Sequence, residues 1–330
     1  MRLADLPRHP LGTLPTPFEP LDRLGAELGL PLWVKRDDLT GLGLGGNKVR
    51  KLEYLVGDAL ATGCDTVVTF GALQSNHARQ TAAACARVGL HCVLVLTRTV
   101  PRTGAAYTDG GNVLLDRLFG ADVRVVDPDG VEAAVAALTE ELAAAGRRAR
   151  WVPPGGSDVV GTAGYVRGGL ELAAAAAAAG VDLSHVVVAS SSGGTQAGLL
   201  LGLRSAGCGA TVHGVAVYKD AARTRATVTK LVTGTAELLG LEVRDEDEVV
   251  CDDRFLGDGY GLPTAAMADA VQRFARTEGL VLDPVYSGKA AAALFAMAAS
   301  GELDGATGVA FVHTGGSPSL FAYVDELTPG

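Results

Sequence analysis

An α/β protein built from two open parallel-sheet lobes is the fold class that three features of the sequence predict. Short apolar runs alternate with longer helix-period segments along nearly the whole chain, the pattern of parallel strands covered by helices on both faces in three αβα layers. The chain has 330 residues, more than one compact core ordinarily organises. Its glycine- and serine-rich motifs follow strands or open helices, where open α/β sheets place their ligands.

The elements follow in order. Lys48 begins a helical segment after a glycine loop. Residues 66–70 read as a buried strand, 76–88 as a helix and 92–96 as the next strand. After a turn at 101–104, residues 112–119 are helical, 123–126 a strand, 131–145 a helix and 150–152 extended. The second half repeats the rhythm: helix 161–179, strand 185–189, loop 190–194, helix 195–205, strand 211–217 and helix 223–239. Helices at 263–278 and 287–298, a strand at 309–313 and a short helix at 318–323 complete the chain. The alanine run 173–179 belongs to a packed helix, since alanine favours that state. No repeat period and no disordered linker appears.

Composition narrows the function. A net charge of −9 argues against nucleic acid or an anionic membrane as the main partner, although a locally positive pocket can still take a small anion. The five cysteines are scattered and lack a CxxC pair, so free thiols in a reducing compartment fit better than a disulfide framework or a metal site. Cys85 and Cys92 lie in apolar stretches and read as core residues. Residues 1–20 carry Arg2, Arg8, His9 and several prolines without an apolar core, so no signal peptide is expected. No apolar stretch approaches the ~18 residues of a membrane span, and the expected location is the cytoplasm.

Four motifs carry chemistry. In the first, Gly43-Leu44-Gly45-Gly46-Asn47-Lys48, glycines permit close backbone approach. A lysine at the positive end of a helix, partly buried, is pushed toward the free amine that attacks an aldehyde. A surface lysine after a flexible loop is the plain alternative. In the second, Ser190-Ser191-Ser192-Gly193-Gly194-Thr195-Gln196 joins a strand to a helix. Its backbone N–H groups suit a phosphate, with hydroxyls of Ser192 and Thr195 adding bonds. It lacks the GK[ST] ending of a P-loop and is not GxGxxG. A phosphate loop without a dinucleotide fingerprint, together with a reactive lysine, points to pyridoxal 5'-phosphate (PLP). In the third, Leu73-Gln74-Ser75-Asn76-His77, Ser75 is a good N-cap. Alternatively, Ser75 and the N–H groups after it bind a substrate carboxylate, with Asn76 on the cofactor ring oxygen; His77 is structural or substrate-facing. The fourth group is Gly259-Tyr260-Gly261, Asp283-Pro284-Val285-Tyr286-Ser287-Gly288-Lys289 and His313-Thr314-Gly315-Gly316. Its tyrosines serve as acid–base groups or carboxylate partners, or simply pack turns.

Taken together these segments resemble the fold-type II, or tryptophan-synthase-β-like, PLP enzymes. Within them the chain is similar to the branch of D-cysteine desulfhydrases and 1-aminocyclopropane-1-carboxylate deaminases. The resemblance runs from about Leu14-Pro15-Thr16-Pro17 through Trp33-Val34-Lys35-Arg36-Asp37-Asp38 and the motifs above to residues 313–323. It implies a large PLP-binding lobe from residues 1–53 and 164–330, a small lobe from 54–163, and a homodimer. Residue by residue, it implies that Lys48 forms the Schiff base with PLP, and that Lys51 with Ser192, Gly193, Gly194 and Thr195 holds the phosphate. It implies Asn76 at the ring oxygen, Ser75, Asn76 and His77 around the substrate carboxylate, and Tyr260 and Tyr286 facing the substrate. Ser287 and Thr314 stand at cofactor positions that separate the branches. Deaminases carry glutamate at the first, near the pyridine nitrogen, and tend to carry leucine at the second. With His77, these residues match the desulfhydrase pattern. The expected reaction is α,β-elimination from D-cysteine, with Lys48 as base. The competitors are ring-opening deamination, elimination from another β-substituted alanine such as L-cysteate, and a catalytically silent PLP-binding protein.

Overall fold

The computed structural model describes residues 1–243 and 248–327. Its ten strands are β1 (Phe18–Pro20), β2 (Leu32–Lys35), β3 (Thr66–Ala72), β4 (His91–Thr97), β5 (Asp122–Val126), β6 (Ala149–Val152), β7 (His185–Ser190), β8 (Thr211–Ala216), β9 (Val250–Asp252) and β10 (Val309–Val312). They form a six-stranded sheet in the order β1-β2-β10-β7-β8-β9 and a four-stranded sheet in the order β5-β4-β3-β6. Every pairing is parallel except that of β1 with β2 at the edge of the larger sheet.

Strand periodicity explains why both sheets are covered on two faces. In β7, Val186 and Val188 belong to one apolar cluster, while Val187 and Ala189 belong to another. In β10, Ala310 and Val312 join the first cluster, Val309 and Phe311 the second. The smaller sheet divides likewise: Leu94 and Leu96 of β4 pack on one side, Val93 and Val95 on the other. Alternate side chains point to opposite faces, so a continuous apolar run needs a helix layer on each. Fully burying each valine, leucine or phenylalanine among them contributes ~1.5–3 kcal/mol.

The expected elements form, with ends shifted by at most two residues, except that the last short helix, expected over 318–323, is Ser317–Leu320. The helix Asn76–Val88 starts at the expected residue because the Ser75 hydroxyl accepts a hydrogen bond from Ala78 N at 3.1 Å. Among the elements without a sequence-based assignment are β1, the helix Asp22–Leu28, β2 and β9. Each strand among them is three or four residues long. β1 ends in Pro20, which an edge strand tolerates, and β2 ends in Lys35, whose buried charge masks the strand pattern. Among the described residues no helix is long and apolar enough to cross a membrane.

Glycines set the distance between the helices that carry the site. A Cβ on Gly164, in the helix Val159–Ala178, would lie 2.2 Å from Arg50 O in the helix Lys48–Ala61. One on Gly202, in the helix Gly194–Ser205, would lie 2.3 Å from Val166 O. The helix Val159–Ala178 therefore touches both others at backbone contact.

Candidate active site

The carboxyl ends of β3, β4, β6, β7, β8 and β10 converge on one cavity of about 570 Å³, lined by segments of both sheets, a volume suited to a small-molecule site. Among the expected site residues, Lys48, Ser75, Asn76, His77, Ser192, Gly193, Thr195, Tyr260, Tyr286 and Thr314 line it. Lys51, Gly194 and Ser287 stand behind that wall.

Lys48 is half-buried and opens its helix, with Nζ donating to Asn47 Oδ1 at 3.0 Å. Loss of hydration pushes its ammonium down to about 8; Asp283 opposes this shift and Arg79 adds to it. The helix is held by a buried ion network. Arg50 Nη2 donates to Asp37 Oδ1 at 2.7 Å and to Glu171 Oε1 at 2.8 Å, while Lys35 Nζ donates to Glu171 Oε1 at 2.6 Å. Tyr165 adds a hydrogen bond to Asp37 Oδ2. The network joins the end of β2, the Lys48 helix and the helix Val159–Ala178, so removing one partner would strand a buried charge.

The cavity wall includes a cradle of donors suited to an anion, backed by Lys51. Gly193 takes φ 83° and caps the helix Gly194–Ser205, directing free N–H groups outward. Lys51 Nζ donates to Ser157 Oγ at 2.8 Å and Gly155 O at 3.1 Å. Ser157 Oγ lies 2.7 Å from Ser192 Oγ and accepts from Gly194 N at 3.3 Å. Thr195 Oγ1 accepts from Asn47 Nδ2 at 3.0 Å, tying the cradle to the residue before Lys48. Burial, reinforced by Lys48, holds the Lys51 ammonium well below its usual range. An anion here would restore its charge.

Ser75 is the helix N-cap already described and also lines the cavity. His77 Nε2 lies 2.8 Å from Thr69 Oγ1, whose own proton goes to Val152 O at 2.9 Å. The hydroxyl must accept, so His77 carries its proton on Nε2. Burial, with Lys48 and Lys51 nearby, holds the ring well below its usual pKa. His77 is thus a neutral hydrogen-bonding group, unsuited to hold a proton as a base.

Tyr260 and Tyr286 meet hydroxyl to hydroxyl at 2.5 Å. Burial raises both, and they remain neutral. Lys289 Nζ donates to Leu256 O at 2.7 Å and Gly259 O at 3.1 Å, which fixes the Tyr260 loop. The Ser287 side chain is fully buried. Its Oγ donates to Asp283 Oδ1 at 2.6 Å and accepts from Asp283 N at 2.8 Å. Asp283 in turn accepts from the backbone N–H groups of Val285, Tyr286 and Ser287. Ser287 thus secures the start of the helix Ser287–Ser300. Ser287→Ala is expected to lower unfolding free energy by about 1–3 kcal/mol, because a buried carboxylate loses a donor. Denaturant unfolding of the apo-protein checks this, and an unchanged midpoint would contradict it.

Sequence reasoning missed Ser157, Thr97, Thr99, Tyr218 and Lys219, all cavity-lining residues. The turn Pro153-Pro154-Gly155-Gly156-Ser157 was a visible loop signal. Nothing local tied it to Lys51, which is 106 positions away.

The residues present fit PLP. A Cβ on Gly194 would sit 2.8 Å from Ser157 Oγ and 3.0 Å from Lys51 Nζ, so the cradle admits only bare backbone. Ser190 Oγ, at the end of β7, is buried on the cavity wall and has no partner among the described residues. A lysine amine facing such a cradle, across the strand ends of two parallel sheets, defines an α/β enzyme with a phosphorylated carbonyl cofactor. The chain belongs to the family of pyridoxal-phosphate dependent enzymes, whose family model matches residues 10–315. It is 43% identical to the D-cysteine desulfhydrase of Salmonella choleraesuis strain SC-B67 over 97% of both chains. It is 42% identical to a Pyrococcus abyssi protein provisionally named 1-aminocyclopropane-1-carboxylate deaminase, over 98% of this chain and 96% of that one. A crystal structure titled as an ACC deaminase homologue superposes with TM-score 0.88 at 39% identity, covering 98% of this chain and 96% of that one. A threonine deaminase from T.th., at 22% identity and TM-score 0.61 over 92% of each chain, shares the type II fold.

Proposed function

We propose that the protein is a lyase that converts D-cysteine and water to pyruvate, hydrogen sulfide and ammonia. The observation that carries this reading is the cavity lining: among the described residues it contains hydroxyls, amides, lysines and a neutral histidine, but no carboxylate. Bound PLP supplies an electron sink for charge developing at the substrate Cα. Without a carboxylate to keep the pyridine nitrogen protonated, that sink is shallower. It suits loss of a good leaving group such as sulfide better than opening of a cyclopropane ring.

The residues divide the work as follows. Lys51, Ser157, Ser192 and the N–H groups of Gly193, Gly194 and Thr195 hold the phosphate. Asn76 Nδ2 faces the ring oxygen. Backbone N–H groups at the start of the helix Asn76–Val88, with the Ser75 hydroxyl, bind the substrate carboxylate. Lys48, with its ammonium pushed down to about 8, serves as the base for the Cα proton near neutral pH. The neutral pair Tyr260–Tyr286 has one hydroxyl proton not engaged between the rings, available to the departing sulfur. Residues 1–53 with 164–330 would form the cofactor lobe and 54–163 the small one.

The test is a substrate panel on the PLP-loaded protein: D-cysteine, L-cysteine, L-cysteate and 1-aminocyclopropane-1-carboxylate. The fastest turnover is expected for D-cysteine, with pyruvate and sulfide in equal amounts. If 2-oxobutyrate from the cyclopropane substrate formed fastest, the deaminase named among the relatives would be the better reading. If sulfite from L-cysteate led, the leaving group would be reassigned.

A further inference from the structure

We propose that Asn112, a residue outside the cavity wall, is a positioning residue that decides which end of the Asn76 side chain meets the cofactor. Two contacts of fixed polarity orient the Asn112 amide. Arg79 is fully buried in the helix Asn76–Val88, and its Nε donates to a side-chain atom of Asn112 at 3.1 Å. A guanidinium only donates, so that atom is Oδ1. The opposite end of Asn112 is therefore Nδ2, and an independent contact agrees: it lies 3.0 Å from Gln74 O, which only accepts. The second Nδ2 proton points to Asn76 at 2.8 Å. Both amide protons are thereby used, and the Asn76 atom that receives one must be Oδ1. Asn76 Nδ2 is left outside this relay, on a residue that lines the cavity.

The relay is anchored on both sides. Gln74 holds the segment before Asn112 by donating to Tyr107 O at 2.6 Å and Gly110 O at 3.0 Å, and accepts from Asn112 N at 2.9 Å. Arg79 Nη1 donates to Gly43 O and Gly45 O, in the loop leading to Lys48. One guanidinium thus positions the loop that presents the reactive lysine and, through Asn112, the amide that faces the ring oxygen. Asn112 is fully buried and does not itself line the cavity, which suits a role exerted through Asn76.

The inference rests on the reading of Asn76 as the ring-oxygen contact, and the experiment separates the two. In Asn112→Asp, a carboxylate of nearly the same shape faces Arg79 and Asn76. Asn76 must then turn Nδ2 toward the new carboxylate and present Oδ1 to the ring oxygen. The pH midpoint of the visible absorption band of the PLP-loaded protein is measured, together with PLP affinity by titration of the apo-protein. With its donor replaced by an acceptor, the ring oxygen holds a proton more tightly. The midpoint is expected to rise by about one pH unit and PLP affinity to fall about tenfold, the size of one hydrogen bond to a charged group. Lys48, Lys51, Arg79, Asp283 and the neutral His77, the charged and titratable groups around Asn76 and Lys48, are common to all variants. Asn76→Ala should shift the midpoint in the same direction, and the double variant should shift no further. Asn112→Ala, which removes the anchor without adding charge, covers the case in which the aspartate does not fold, and should shift it by less. A midpoint that stays at the wild-type value in folded Asn112→Asp or Asn112→Ala, while Asn76→Ala moves it, overturns the relay and leaves the Asn76 reading standing. A midpoint unmoved by Asn76→Ala overturns both.

Discussion

Lys48→Ala is expected to abolish turnover, with keto acid formation falling at least about 10³-fold. A positioned base alone contributes ~10²–10⁴-fold, and in the reading proposed above the same amine attaches the cofactor, which adds a second loss. The apo-protein should remain folded, because among the described residues Lys48 Nζ has only its neighbour Asn47 as a hydrogen-bond partner, and removing a half-buried ammonium removes a desolvation cost. PLP should still enter through the cradle, but the visible band of the lysine-bound cofactor should be absent. The pH dependence gives an independent check. Because burial lowers the Lys48 ammonium to about 8, the free amine is the minority form below that pH and the majority form above it. Covalent capture of PLP by the wild-type apo-protein should therefore accelerate as pH rises and level off above about 8. A Lys48→Ala protein that kept both the band and turnover would remove the lysine from its role.

Gly194→Ala should have the next largest effect, a loss of PLP affinity of about 10²-fold or more. The added Cβ would sit 2.8 Å from Ser157 Oγ, 3.0 Å from Lys51 Nζ and 3.0 Å from Thr162 Oγ1, all tighter than ordinary contact. Lys51 and Ser157 would have to withdraw from the place where a phosphate sits. Each hydrogen bond to a charged group contributes ~1.5–3 kcal/mol, and every 1.4 kcal/mol is tenfold in affinity. Alanine is the better helix former, so apo-protein stability should change little and the loss should be local. Pyridoxal, which lacks the phosphate, provides the control: the wild type should prefer PLP strongly, and Gly194→Ala should lose most of that preference. Equal PLP affinity in the two proteins would show that the phosphate lies elsewhere.

The site was partly legible in the sequence because some of its chemistry is local. Gly43 to Lys48 and Ser190 to Thr195 each carry their glycines, their functional side chain and their helix start within about six residues. Ser75 carries its own N-cap signal. Ser287 was legible as the residue after Tyr286, which suggested a place at the cofactor ring; that its hydroxyl is bound at both ends to Asp283 was not legible. Asn112 had no signal, since an asparagine opening a short helix resembles any other until Arg79 and Gln74 fix its orientation. The elements without a sequence-based assignment, such as β2 and β9, are too short for a periodicity to develop.

What the sequence determined by itself was the alternating architecture, the lysine after its glycine loop and the glycine-serine turn that opens a helix. These follow from side-chain period and from the backbone freedom of glycine, which neighbouring residues set. What only the tertiary structure decided was how those pieces are completed and polarised. Ser157 reaches the cradle from beyond β6, the Tyr260 and Tyr286 hydroxyls join, and Asn112 fixes the orientation of the Asn76 amide. Such contacts depend on the relative placement of two sheets and on hydrogen-bond polarity passed between residues that the chain keeps far apart. No window of sequence contains that information.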